Sequence, residues 1–287
     1  VFMDIPPDTL NLDPKGLAEA LTPKTRAIVP VHYAGVACPM DEITSFARAH
    51  GLVVIEDNAH GLGASYRGKP LGSLGDLATL SFHETKNFSC GEGGALLVNR
   101  DDWKERAQIL QDKGTNRAQF RLGLVDKYSW VDYGSSYLLG ELPAALLLAN
   151  LEHGSVTQAR RLAIWQSYDH QLRDWCGQIG ARQPVVPSYA QHPAHMYYLL
   201  MPDLESRNRL IEHLRKAGIL AVFHYLPLNT STMGQRFGGR VGQCPITEDV
   251  ADRLLRLPFF NDLTGADQMH VIEAIHDFGR RERGLRP

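Results

Sequence analysis

The chain of 287 residues and 32.0 kDa exceeds the roughly 250 residues beyond which single cores tend to split, so two domains are expected. Its 44% apolar and 22% charged residues exclude a disordered protein. Thirty Lys and Arg against 32 Asp and Glu leave a net charge of -2, which gives no electrostatic basis for a nucleic-acid surface.

In chain order, the opening VFMDIPPDTLNLDP has no basic stretch followed by an apolar one and a small-residue cleavage site. It reads like the interior of a protein and not like a signal peptide. Residues 26–32 (RAIVPVH) form a β-rich run, 40–50 have helical spacing with Ile43, Phe46 and Ala47 on one face, and 52–55 (LVVI) form a buried strand ending in acidic residues. Together they predict a β-α-β unit. Strands follow at 77–82 and 95–98, then a helix over 101–113 with Trp103, Ala107 and Leu110 on one face and Asp101 and Asp102 at its N-cap and first turn. Apolar strands interleaved with helices predict an α/β chain with a mainly parallel sheet.

Between residues 113 and 137 the pattern breaks into a run rich in Gly, aromatics and charges, longer than an ordinary connector and therefore expected to be functional. Two helical stretches fill 138–175, the second over 157–172 with a positively charged face, ending before Cys176 and Gly177. A strand at 196–201, a helix at 206–217, a strand at 220–225 and helices near 246–255 and 266–278 predict a smaller α+β domain. The expected division is 1–154 for the large domain, incomplete at its N-terminal side, and 155–287 for the small one, with RRERGLRP as a solvated end. The most apolar run, LLGELPAALLLANL, is interrupted by Glu141, Pro143 and Asn150, so no membrane helix is expected. Four cysteines without a CxxC pair favour a reducing, cytoplasmic compartment. There is no GxGxxG after an opening strand, no GxxxxGK[ST] and no HExxH, so dinucleotide, P-loop and metal chemistry find no support.

The chemistry concentrates between residues 53 and 94. Asp57 follows a strand directly, which places its carboxylate at the carboxyl edge where open α/β sheets bind ligands; an Asp in that position also serves as a cap or turn former. Lys86 lies four residues past the strand end at Phe82, in the polar insert HETKNFSC before the glycine-rich turn 91–94. Most loop lysines are simply solvated, but one held against a sheet edge loses charge by desolvation and becomes an amine nucleophile. A lysine carrying pyridoxal phosphate needs a carboxylate for the pyridine nitrogen and donors for the phosphate. Asp57 can supply the first, and Ser81 with nearby backbone N–H groups part of the second.

VIEDNAH around Asp57, the stretch GSLGDLATLSFHETKNFSCGEGG and the later FHYLPL resemble the motifs of the DegT/DnrJ/EryC1/StrS family of sugar aminotransferases, over nearly the whole chain. The resemblance implies that Lys86 carries the cofactor, that Asp57 pairs with its ring nitrogen, that Ser81 binds its phosphate and that His60 lies near its ring. It places His83 in the same loop as the lysine, where it can orient it, a satisfied loop histidine being the equal alternative, and His224 and Tyr225 at the border of a sugar-nucleotide pocket, a core role being the alternative for Tyr225. Where the family has a segment donating an Asn to the phosphate across subunits, this chain has Gly134, Ser135, Ser136, Tyr137 and Leu138; Ser136, with a shorter hydroxyl, then takes the place of that Asn. Arg117, Arg121 and Lys127 in the long loop suit a nucleotide diphosphate, a solvated charge run being the alternative.

The fold so implied is the type I, aspartate-aminotransferase-like fold with its first elements missing. The implied reaction transfers an amino group from glutamate to the 4-keto carbon of a dTDP-4-keto-6-deoxyhexose for cell-surface polysaccharide of the enterobacterial common antigen type, in a homodimer with shared sites. Two rivals stand beside it: a dehydratase with His in place of the lysine, against which Lys86 argues, and a truncated, inactive homologue that binds a nucleotide sugar or a partner. Members of the resembled family have a further opening segment that contributes cofactor contacts, and a sheet without it is expected to expose apolar edge and face.

Overall fold

A computed structural model describes residues 1–282 and Gly284. After a short helix α1 (Leu17–Ala20), strand β1 (Ala27–Ile28) leads to α2 (Met40–Ala49), which buries Met40, Ile43 and Ala47, and then to β2 (Val53–Asp57). Phe46, expected on the same face, is packed at the rim of that core. A hairpin of β3 (Ser65–Tyr66) and β4 (Lys69–Pro70) precedes β5 (Leu77–Ser81) and β6 (Gly94–Val98). The sheet order is β1-β2-β5-β6. The first two pairings are parallel, as the alternation predicts, and β5 with β6 is antiparallel. The reversal has a local cause. A parallel return needs a crossover element, whereas the segment between β5 and β6 folds back on itself through Phe82 N–H to Gly93 O (2.8 Å) and Cys90 N–H to Phe82 O (2.9 Å).

Helix α3 (Asp101–Gln111) has Asp101 and Asp102 in its first turn, but the N-cap is Arg100 and makes no side-chain cap bond. Arg100 instead clasps Asp102 at 2.6 Å. The 113–137 excursion contains one short helix, α4 (Arg117–Arg121), and is tied down by isolated bridges Asp112–Ser136 and Thr115–Trp130. Helices α5 (Glu141–Glu152) and α6 (Gly154–Ile179) follow. The second runs past the expected stop at Cys176 and Gly177, because Trp175 and Cys176 continue the inward stripe of Ile164, Tyr168 and Leu172. It ends at Gly180, whose φ of 73° gives the left-handed cap.

Strand β7 (Ala190–Gln191) returns to β3, forming the sheet β4-β3-β7. Then come β8 (Tyr198–Leu200), α7 (Leu204–Lys216), β9 (Val222–Phe223), α8 (Thr232–Arg236), α9 (Pro245–Arg253), β10 (Leu254–Arg256) and α10 (Gly265–Glu282). The helix expected over 246–255 stops at Arg253, and the next three residues become the central strand of β8-β10-β9. Neighbouring strands on both sides bury Leu254 and Leu255 completely, a tertiary demand invisible to helical periodicity. Half of the tail expected to be a solvated end (283, 285–287) lies outside the described residues, and its first three residues, 280–282, are the last turn of α10.

One core forms where α6, α7 and α10 meet the last sheet, with Tyr168, Leu172, Trp175, Leu210, Leu214 and Ile275 at its centre. Gly279 on α10 is required there: a Cβ would lie 2.3 Å from the Trp175 indole nitrogen. A second core joins α2 to β1, β2 and the hairpin, and a third links Leu10 and Ala34 to Tyr198, Leu200 and Leu254. Among the described residues no helix is long and apolar enough to cross a membrane, and all four cysteines are free and buried. A groove of about 770 Å³ beside β1 is lined by Phe2, Leu17, Ile28, Val29 and Tyr33 among others, and α5 buries none of its side chains.

Candidate active site

The parallel pairing of β2 with β5 brings Asp57 opposite Thr79, so Asp57 and Ser81 emerge at the same carboxyl edge. One carboxylate oxygen of Asp57, Oδ1, accepts the Ala59 N–H (3.1 Å); no protein donor engages Oδ2 among the described residues. Lys86 sits in the folded-back loop between β5 and β6, its N–H donating to His83 O (2.9 Å). Burial holds the Lys86 ammonium below its ordinary pKa, and the negative charge of Asp57 opposes this only in part. Around the lysine, Ala59, His60, Leu62, Ser81, Asn87, Phe88 and His195 enclose a void of about 10 Å³, the space of a single water.

The opposite wall comes from residues far along the chain. His195 stacks on His60 with ring centroids 4.1 Å apart. Its Nδ1 lies 2.9 Å from Asn87 Oδ1, while Asn87 Nδ2 donates to Pro193 O (2.8 Å). Because the amide must present its oxygen to the imidazole, His195 carries its proton on Nδ1. Arg161 of α6 fixes this turn from behind, donating from Nε to Ala194 O (3.0 Å) and from Nη2 to His195 O (2.6 Å). Close approach of this turn needs Gly35 (φ 80°), where a Cβ would stand 2.4 Å from Pro193 and 2.6 Å from His60 O. Thus the residue after the lysine is bonded to the turn that enters β8.

Tyr33, just after β1, points its ring into the same space, with centroids 5.3 Å from His224, 6.0 Å from Tyr198 and 6.3 Å from His60. Burial pushes His60 down to about 3 and His224 to about 4, and it depresses His195 as well. The folded chain therefore keeps His60 and His224 neutral, whereas unfolded imidazoles take up protons from their ordinary value of 6.5 downward. The sign follows: this contribution to stability is complete above about pH 6.5 and is lost as pH falls toward 4. We expect the melting temperature to fall across that window, and the slope to be shallower in His224→Asn. An unchanged slope in that variant would contradict the assignment.

Beneath the edge lies a buried ion site absent from the sequence expectations. Glu56 alternates with Val54 on the inward side of β2 and is fully buried with His32. Its carboxylate accepts from Gly72 N–H (2.8 Å), Leu74 N–H (2.8 Å) and Gly75 N–H (2.6 Å), and from His32 Nε2 (3.0 Å). The Cys38 N–H donates to His32 Nδ1 (3.1 Å), so the ring proton is on Nε2, facing the carboxylate. Burial would raise the Glu56 pKa, but the His32 bond and the amides of Gly75 and Gly72 outweigh it and hold the carboxyl below its ordinary value. The anion thereby anchors the 72–75 turn to the strand that presents Asp57. A charged residue at an inward position of a buried strand was the available signal.

Of the residues singled out in the sequence, Lys86, Asp57, His60 and Ser81 gather at one edge, with His224 nearby across Tyr33. His83 turns away: its ring meets Thr85 Oγ1 (3.0 Å) and Glu92 (3.6 Å), and it reaches the lysine through its backbone carbonyl. Tyr225 is 77% exposed and leans on His224, so a core role is excluded. Arg117, Arg121 and Ser136 remain on the 113–137 excursion, where Arg117 pairs with Asp112 (3.9 Å) and lies over Tyr128. Sequence reasoning missed Tyr33, Asn87, Arg161, His195 and Arg256.

The donor set suits pyridoxal phosphate on grounds internal to this structure. A partly desolvated amine faces a carboxylate with a free oxygen, a hydroxyl stands at the end of the adjacent strand, and the buried His60 Nδ1 has no partner. The model of the DegT/DnrJ/EryC1/StrS aminotransferase family matches residues 1–276. The spore coat polysaccharide biosynthesis protein SpsC of Bacillus subtilis (strain 168) is 32% identical over 286 residues, covering 96% of this chain and 72% of that protein. Among solved structures, the aminotransferase TlmJ from Streptoalloteichus hindustanus is similar with a TM-score of 0.87 at 27% identity, covering 99% of this chain and 74% of that one. The PLP form of the putative sugar aminotransferase Spr1654 from Streptococcus pneumoniae gives 0.86 at 27% identity, covering 98% and 75%.

Proposed function

The chain belongs to the DegT/DnrJ/EryC1/StrS aminotransferase family, and on that basis we propose that it transfers an amino group from glutamate to the 4-keto carbon of a dTDP-4-keto-6-deoxyhexose. This is the reaction of a dTDP-4-amino-4,6-dideoxygalactose transaminase, and its product would enter cell-surface polysaccharide. The cofactor is pyridoxal phosphate, as in the PLP form of the Spr1654 structure. The observation that carries the reading is the placement of a partly desolvated Lys86 near Asp57 at one sheet edge, within reach of its negative charge.

When bound, pyridoxal phosphate supplies an electron sink and a temporary carrier for the amino group. Lys86 would hold it through the amine and would take and return a proton at Nζ. Burial helps by favouring the neutral amine. Asp57 offers its free oxygen to a protonated ring nitrogen. Ser81, with Ser136 of a second subunit, would donate to the phosphate. His60 stays neutral because of its burial, so it borders the ring without adding a competing cation. His83 would brace the lysine loop through its Thr85 contact, and Arg117, Arg121, His224 and Tyr225 would meet the nucleotide-sugar.

A second copy of this chain is the proposed cover for α5 and the end of the preceding excursion, where Tyr133, Tyr137 and Leu142 are 83%, 71% and 86% exposed. Large apolar side chains exposed to that extent point to an interface. Sedimentation should give a dimer for the parent protein and a monomer for Leu142→Lys combined with Leu148→Lys; a parent monomer would remove this part of the reading. The activity itself is tested by following 2-oxoglutarate release from glutamate against a panel of dTDP- and UDP-4-keto sugars. A preference for dTDP-4-keto-6-deoxy sugars is expected, and no transfer to any nucleotide sugar would overturn the proposal.

A further inference from the structure

Lys86 has no side-chain hydrogen bond or ion pair among the described residues, so the place of its amine is set by the backbone that carries it. That backbone belongs to a loop closed largely on itself, with the Lys86 N–H on His83 O. Side-chain bonds tie the loop outward. Asn150 of α5 donates to Ser89 O (3.0 Å), three residues past the lysine. Asn87, the next residue, uses both ends of its amide on the turn 193–195, through Pro193 O and His195 Nδ1, across 106 and 108 positions of sequence.

The turn is itself held in a conformation that needs outside support. Ala194 has a φ of 48°, in the left-handed region that a residue with a Cβ keeps only where its surroundings impose it. Its N–H donates to His192 Nδ1 (3.2 Å) and its carbonyl accepts from Arg161 Nε, while Arg161 Nη2 holds His195 O and Nη1 donates to Asn261 Oδ1 (2.6 Å). Arg161 is 3% exposed, and burial pulls its pKa down to about 10. Among the described residues it has no carboxylate partner, and burying a cation against neutral oxygens is unfavourable. As a rigid fork, however, it fixes two successive carbonyls at once. A strained residue clamped by a buried charge points to a requirement on position.

We infer that this clamped turn positions the nucleophilic amine: Arg161 fixes the 194–195 peptides, Pro193 and His195 fix Asn87, and Asn87 fixes the backbone from which Lys86 extends. What the amine does rests on the aminotransferase reading; how it is held does not. Asn87, His195 and Arg161 are positioning residues, acting through Lys86. The same turn stacks His195 on His60, so one element locates both the lysine and the wall beside it. A reacting group displaced by about 1 Å loses on the order of 100-fold in rate.

Trace labelling with acetic anhydride over a range of pH, with the Lys86 peptide measured against that of exposed Lys24 by mass spectrometry, reads the solvation of this amine without cofactor or turnover. Burial holds Lys86 below its ordinary pKa, so its labelling curve in the parent should lie at lower pH than that of Lys24. The groups facing it are Asp57, His60 and His195. Both histidines are neutral, so His195→Phe removes no charge and keeps a ring on His60 while losing the bond to Asn87. In His195→Phe and in Asn87→Ala the freed lysine should turn to solvent, and its labelling near pH 8 should fall about tenfold as its curve moves toward that of Lys24. His195→Asn, whose amide nitrogen stands where Nδ1 did, should keep the parental curve. In amino transfer, kcat should fall about 10- to 100-fold in the first two variants, with KM for the nucleotide sugar within about threefold. A folded His195→Phe with the parental labelling curve or the parental kcat overturns the inference, and so does His195→Asn behaving like His195→Phe. If circular dichroism shows His195→Phe unfolded, Asn87→Ala, which leaves the stack in place, decides by the same readouts. A parent that converts no glutamate is a failure of the aminotransferase reading, and the labelling still decides the positioning; normal conversion with unaltered variants is a failure of the positioning alone.

Discussion

Replacing Lys86 with alanine should reduce amino transfer by about 10⁴-fold or more, because one side chain supplies both the cofactor attachment and the proton shuttle. The fold should survive. The Lys86 side chain makes no hydrogen bond or ion pair among the described residues, and its burial disfavours the charge it carries, so its removal leaves no buried partner stranded except an accessible carboxylate. Lys86→Arg should not rescue, since a guanidinium stays protonated at any working pH and can serve neither role. The spectroscopic companion is a visible absorption band in the parent after incubation with pyridoxal phosphate, fixed on the Lys86 peptide by borohydride and missing from the alanine variant. Retention of more than about 1% of the parental rate in Lys86→Ala, well above what loss of a nucleophile and proton carrier allows, would show that another group does this work.

Substituting Glu56 by alanine should be the most destabilising single change in the large-sheet region, by about 3–5 kcal/mol. It strands three backbone N–H groups, at Gly72, Leu74 and Gly75, and the Nε2 proton of His32. Urea unfolding measures this directly, and a difference under about 1 kcal/mol would mean the buried anion is replaceable by water. The pH dependence has a definite direction. The folded pKa of Glu56 lies below its ordinary 4.5, so its contribution is complete above that value and disappears as pH falls through the lower, folded one. Parent and Glu56→Gln should therefore converge in stability in acid, with the full difference already present at pH 4.5 and constant above it. A Glu56→Gln, His32→Asn double variant should be less than additive, as the two residues share one bond.

Asp57 and Lys86 were legible from local rules, since a strand ending in an acid and a polar insert before a glycine turn place both at a sheet edge whatever the rest of the chain does. The β-α-β unit and the terminal helices were legible for the same reason: periodicity records which face of an element is buried. Helix α6 was misjudged at its end because Gly177 looks like punctuation, yet Trp175 and Cys176 are packed against α10 and the last sheet, and that burial outweighs the cost of one glycine. Strand β10 looked like the end of a helix for lack of any local sign that β8 and β9 would flank it. The antiparallel return of β6 is likewise decided by how the lysine loop closes.

The local order of residues thus determined the chemistry on offer: an amine, a carboxylate and a hydroxyl at strand ends. Only the tertiary structure decided what surrounds them. The Asn87–His195 bond spans 108 positions, and Arg256 reaches the site only because β10 pairs between two strands that are themselves distant in sequence. The physical reason is that periodicity and turn chemistry act over a few residues, whereas the burial of Glu56 with His32 and the neutral stack of His60 on His195 exist only once separate segments have excluded water from between them.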